Sequence, residues 1–164
     1  MDSKTASVRL DGEGLRFVGT SGSGHVVVLD NSEGDTGPRP TEFLLLAQAG
    51  CTAMDVASIL RKKRQAFDRY EVRVSGEQRD EHPRSFERIR IVHLVEGPVQ
   101  VEAVRRAIEL SATRYCSVTG NLASGTAQVR HAYIVRDGVG EEHYGEVLVT
   151  GPGAPLDALE VAGA

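Results

Sequence analysis

The chain carries two cysteines, and they sit in unlike surroundings. Cys51 lies inside the apolar run FLLLAQAGCTAMDVASIL, where a buried helix would hold it. Cys116 follows an amphipathic segment in RYCSVTGNLASG and opens a polar, glycine-bearing loop that can bring it up to a partner. A nucleophilic thiol and a second thiol that resolves its oxidised form need that arrangement. The long separation excludes a local CxxC motif and a compact zinc knuckle, so any bond between the two must be made by the fold. Asp55 stands one turn after Cys51 on the same helix face, where its charge opposes thiolate formation unless an arginine or a hydrogen bond neutralises it. Two plainer readings stay open, an inert core thiol at Cys51 and a surface thiol without function at Cys116. A zinc site built from the cysteines and histidines is the least favoured, because His25, His82, His93 and His131 do not cluster and lack metal-ligand spacing.

The elements that must position these residues follow from period and punctuation. SVRL, LRFVGTS and HVVVLD read as short antiparallel strands separated by the turn-forming DGEG and SGSG. NSEGDTGPRP is a loop, and Pro40 with Glu42 marks a helix start: proline in the first turn, a carboxylate at the positive end of the dipole. The helix runs to about Arg64, apolar on nearly every face, and ends in Arg61, Lys62, Lys63 and Arg64 where the dipole favours cations. YEVRVSGEQR and FERIRIVHLVEG alternate at period two around the turn DEHPRS, as a half-exposed hairpin does. In VQVEAVRRAIELSATRYC an apolar stripe of Val101, Val104, Ala107, Ile108 and Leu110 faces a sheet, with Glu102, Arg105, Arg106 and Glu109 turned outward. TAQVRHAYIVRD is a further strand. The expected organisation is one domain over residues 1–137 and a C-terminal extension over 138–164, with a short strand at EVLVT and then a flexible tail.

Composition bounds the function. With 164 residues and 40% hydrophobic content, the chain suits one domain of ordinary size with a real core. A formal charge of −4, with basic residues spread along the chain, lacks the footprint of a nucleic-acid or membrane-surface binder. The N-terminal MDSKTASVRLDGEG has no apolar core of a signal peptide, and Gln48, Thr52, Asp55 and Ser58 break the longest apolar stretch, so a cytoplasmic location is expected. Reducing cytosol keeps thiols free, which makes a lone pair there catalytic or inert more often than a permanent staple.

PRPTEFLLLAQAGCTAMDV together with RYCSVTGNL resembles the OsmC/Ohr family of cysteine-dependent peroxidases over roughly residues 8 to 136, and PTEFLLLAQAGCTA followed by DVASILRKKR is closer to its YhfA-like branch. The resemblance implies an α+β OsmC-like fold, with antiparallel sheets wrapped around long central helices in an intertwined homodimer. It implies that Cys51 attacks an organic hydroperoxide, that the resulting sulfenic acid condenses with Cys116 into a disulfide, and that a dithiol or lipoyl-type reductant restores both thiols. No metal or other cofactor is implied, and neither nucleic acid nor membrane is an expected partner. The family's glutamate in the first turn of the central helix corresponds to Glu42. Its arginine falls near DGEG, where Gly12 and Glu13 stand instead. Arg39, which enters the helix beside Glu42, is the preferred substitute, ahead of Arg16. The alternative is an OsmC-like ligand-binding or redox-sensing dimer without peroxidase activity, and a structural dimer with inert thiols is the third reading.

Overall fold

The computed structural model describes residues 3–152 and divides into two compact units, residues up to Leu44 and residues from Leu45. The first unit is a three-stranded antiparallel sheet, β1 (Ala6–Leu10), β2 (Phe17–Ser21) and β3 (Val26–Leu29), in that order. The strands fall where the short segments separated by DGEG and SGSG predict them. Beyond β3 the loop is tied down by Asp30, whose carboxylate accepts from the Asn31 amide at 2.8 Å and from the Thr36 hydroxyl at 2.6 Å. The hydrogen bonds from Thr36 hold Asp30 below the usual carboxylate range.

Helix α1 (Pro40–Lys62) begins at the expected proline. Arg39 precedes it, and Glu42 reaches back to accept from the Arg39 backbone amide at 2.8 Å, the second half of a capping box. The helix stops two residues before the expected Arg64, which takes a positive φ of 55° as the chain turns out.

In the second unit β4 (Arg69–Gln78) and β5 (Phe86–Glu96) form the anticipated hairpin. The chain then crosses over through α2 (Val101–Leu110), a π-helical turn (Ser111–Tyr115) and α3 (Ser117–Ala123). It returns as β6 (Gln128–Arg136), parallel to β5, and β7 (Glu142–Thr150) closes the order β4-β5-β6-β7. The α+β class is as expected. Antiparallel pairing holds for every strand pair except β5–β6, because a helical crossover returns the chain in the same direction. The strand expected at EVLVT starts earlier, at Glu142, and pairs along its length with β6. The tail expected after it falls mainly on residues 153–164, which lie outside the described residues.

Inward residues alternate along β5 as Ile89, Ile91, His93 and Val95, all buried. Val56 and Leu60 of α1 pack with Val95, Val135 and the α2 residues Val104, Ala107 and Ile108 into one core cluster. Burying a side chain such as Leu60 or Ile108 contributes roughly 1.5–3 kcal/mol. A second cluster joins Phe86, Ile89, Ile91 and Val129 to Leu45 and Leu122. Gly76 makes room there: a Cβ at this position would stand 2.5 Å from the Phe86 ring. One expectation for α2 fails. Glu109 is buried rather than turned outward, and it is held by Arg106 at 2.9 Å, so a cation on the same helix meets the charge the core would otherwise reject.

Candidate active site

The polar interruptions of α1 share a face. Gln48, Cys51, Thr52 and Asp55 follow the spacing i, i+3, i+4, i+7, which stacks them over two turns of helix. Gln48 and Thr52 are fully buried, Cys51 and Asp55 half-buried. Opposite them α2 runs into its π-helical turn, where the Cys116 amide donates to the Ser111 carbonyl at 2.8 Å, a five-residue step. Such an extra residue re-aims the side chains around it, and π-turns recur at functional sites for that reason. Here it delivers both Ser111 and Cys116 to α1.

The two sulfurs and a carboxylate oxygen of Asp55 lie within 4.8 Å of one another, and both thiols are free. The expected environments of the cysteines are exchanged. Cys116 is the more buried, at 5% exposure, and Cys51 is half-buried. What reads as a glycine-bearing loop after Cys116 is α3, with Cys116 as its N-cap and Sγ accepting from the Thr119 amide at 3.4 Å. Packing of Leu122 and Ala123 against the sheet outweighs the helix-weakening Gly120.

A hydrogen-bond network holds the three groups. Ser111 Oγ donates to Asp55 Oδ2 at 2.9 Å, so its 3.0 Å contact with Thr52 is one in which the threonine hydroxyl donates. The hydroxyl donor satisfies the carboxylate but does not cancel its charge, so the neutralisation that the Cys51–Asp55 spacing calls for is not supplied by this bond. Gln48 Nε2 donates to Thr119 Oγ1 at 2.9 Å and reaches Cys116 Sγ at 3.7 Å. Burial pushes the Cys116 thiol up, interaction with Cys51 adds to this, and the Thr119 hydroxyl and amide pull it partly back. Cys116 is therefore held as a thiol.

Below this layer, Tyr70 Oη and His93 Nδ1 share a 2.7 Å hydrogen bond. Burial, reinforced by the charge of Asp55, keeps the Tyr70 hydroxyl protonated. Burial lowers His93 to about 3, with His131 contributing, and lowers His131 to about 4. Both rings are neutral near pH 7, and neither belongs to the cysteine cluster. An open cleft of about 350 Å³ adjoins the site, lined by Asp55, Ser58, Ile59, Lys62, Leu110 and Tyr115 among others. Of the large apolar residues that flank Cys51 along α1, Ile59 lines this cleft and Leu45 serves the second core cluster. Leu46 and Met54 are exposed instead, at 56% and 75%.

The expected charged pair does form in the first unit. Arg39 Nη1 lies 3.7 Å from Glu42 Oε2 and Nη2 lies 3.1 Å from Asp35, in an exposed setting. Gln48, Thr52, Ser111 and Thr119 join the site without having been among its expected members. For the α1 residues the signal was present, since polar residues at helical spacing around Cys51 mark one face. Ser111 and Thr119 carried none, because their placement depends on the π-helical turn.

The OsmC-like protein family model matches residues 32–131. Protein YhfA of Escherichia coli strain K12 is 44% identical over 124 residues, covering 75% of this chain and 92% of its own. A solved structure of a hypothetical protein from Aquifex aeolicus VF5 superposes with a TM-score of 0.74 at 29% identity, covering 82% of this chain and 97% of that one. The fold is also that of an organic hydroperoxide resistance protein from Elizabethkingia anophelis, with a TM-score of 0.59, 14% identity, and 84% and 97% of the two chains covered. By the family match and the YhfA identity, this chain belongs to the OsmC-like protein family.

Proposed function

We propose that the protein is a cysteine-dependent peroxidase for organic hydroperoxides. The observation that carries this reading is the approach of two free sulfurs, within 4.8 Å, delivered from elements far apart in sequence. The Cys51 thiolate attacks the terminal oxygen of ROOH, the O–O bond breaks, and the leaving RO⁻ takes up the proton that the thiol released on ionising, so that ROH departs and Cys51 becomes a sulfenic acid. The Cys116 thiol then attacks the Cys51 sulfur, and water departs as the disulfide forms. An external dithiol of lipoyl type reduces that disulfide and is itself oxidised to a disulfide. Half-burial of Cys51 suits the residue that meets the substrate, and the raised Cys116 suits the one that waits as a thiol. Arg39 and Glu42 are proposed to assist the chemistry, on the strength of the sequence resemblance. Reversible oxidation needs a reducing compartment, and a cytoplasmic location goes with it.

The family resemblance favours a homodimer as the working form, and the exposed Leu46 and Met54 of α1 are the apolar surface such an association would cover. A ligand-binding or redox-sensing dimer is the second reading. The observation in its favour is Asp55, an anion set beside the thiols where a nucleophile must become negative. Turnover separates the two. With dihydrolipoamide as reductant, the peroxidase should consume cumene hydroperoxide faster than hydrogen peroxide, and no turnover of either would leave the binding reading.

A further inference from the structure

We propose that the reduced cysteines and Asp55 form a binding site for a thiophilic divalent cation of the zinc type. The cation would occupy the sulfurs on which the peroxidase reading rests, but its binding does not depend on that reading. Two thiolates select soft or borderline metals over magnesium or calcium, and a carboxylate completes a common zinc ligand set. With zinc–sulfur bonds of about 2.3 Å and zinc–oxygen bonds of about 2.0–2.2 Å, neighbouring ligand atoms of a tetrahedral site stand roughly 3.3–3.8 Å apart. The three atoms here lie within 4.8 Å of one another, so side-chain adjustment of about 1 Å closes the set. Cys51 and Asp55 are one turn apart on α1, and Cys116 is fixed as the N-cap of α3.

Two further observations point the same way. Gln48, fully buried and already touching Cys116 Sγ through its amide nitrogen, leaves its amide oxygen without a hydrogen-bond partner. An end-for-end turn of this amide brings the oxygen round to the Cys116 side, where a cation on that sulfur, or a water on the cation, would meet it. Asp55 is held by Ser111 as ligating carboxylates are held by outer hydrogen bonds, yet it forms no ion pair among the described residues. Lys62 and Lys63 line the adjoining cleft without closing on it. Binding converts Zn²⁺, two thiols and one carboxylate into a complex of net charge −1 with release of two protons. A bound cation blocks both thiols at once, so metal and oxidant exclude each other.

Zinc titration of the reduced full-length protein against a chromophoric chelator, with no peroxide present, tests this. The expected result is one zinc per chain, two protons released, and no binding by the disulfide form. Asp55→Asn should weaken binding by at least about tenfold. Zinc should also shield Cys51 and Cys116 of the wild type from iodoacetamide, a measurement that needs no variant. Affinity that survives Asp55→Asn and disulfide formation, as it would if the ion sat at the Asp137, Glu141 and His143 cluster, overturns the proposal. Unprotected cysteines at saturating zinc overturn it as well. A protein that binds zinc in this way yet never turns over peroxide keeps the metal site and loses the peroxidase reading.

Discussion

Ser111 donates its hydroxyl to Asp55 Oδ2 at 2.9 Å, joining the π-helical turn to the cysteine-bearing face of α1. Ser111 is fully buried and also takes the Thr52 hydroxyl at 3.0 Å, so its removal strands two polar groups. Ser111→Ala should lower unfolding free energy by about 1–3 kcal/mol, read from urea denaturation. A loss below about 0.5 kcal/mol would mean that the hydroxyl does not bridge the two helices.

The raised Cys116 thiol gives a second test. Burial is the larger cause and interaction with Cys51 the next, so deleting the neighbour removes only part of the shift. In Cys51→Ala the pH midpoint for alkylation of Cys116 should move to lower pH than in the wild type, because a contribution that disfavours its thiolate is gone. A midpoint that stays put or rises would show that Cys51 does not act on it.

His93 and His131 predict an acid-sensitive fold. Their folded pKa values, about 3 and about 4, lie below the ordinary 6.5, so the unfolded chain binds more protons between those limits. Stability is full above pH 6.5 and is lost as pH falls towards 4, at up to about 1.4 kcal/mol per pH unit for each histidine. His131→Gln should flatten the dependence between about pH 6.5 and 4.5, measured by urea unfolding across that range. An unchanged slope would contradict a neutral buried His131.

How much of this was legible in the sequence differs between elements. Turn clusters bounding short apolar pieces marked β1 to β3, period-two alternation marked β4 and β5, and Pro40 with Glu42 marked the start of α1 through cap chemistry. The cysteine pair was legible from residue type and family pattern together. The exchange of their environments was not, since it follows from the π-helical turn after Leu110, and neither hydrophobic period nor composition marks an inserted residue. The burial of Glu109 was hidden for a similar reason. A charged residue beside an apolar stripe reads as solvated until its partner, Arg106, is placed. The parallel β5–β6 pair was equally out of reach, because pairing direction is set by the crossover between the strands.

The separation of the sulfurs, within 4.8 Å, predicts an intrachain disulfide formed with little backbone movement. After peroxide treatment, non-reducing electrophoresis should show a monomer band that migrates faster and reverts with dithiol. A covalent dimer as the main product would place the reacting sulfurs on different chains.

The central claim is that Cys51 is the sulfur that meets the hydroperoxide, and the most direct measurement is mass spectrometry of single-cysteine variants after cumene hydroperoxide. Cys116→Ser should accumulate sulfenic or over-oxidised Cys51, with one cumyl alcohol released for each sulfenate formed. Cys51→Ser should leave Cys116 largely reduced under the same conditions. Oxidation of Cys116 in Cys51→Ser, with Cys51 untouched in Cys116→Ser, would contradict the account.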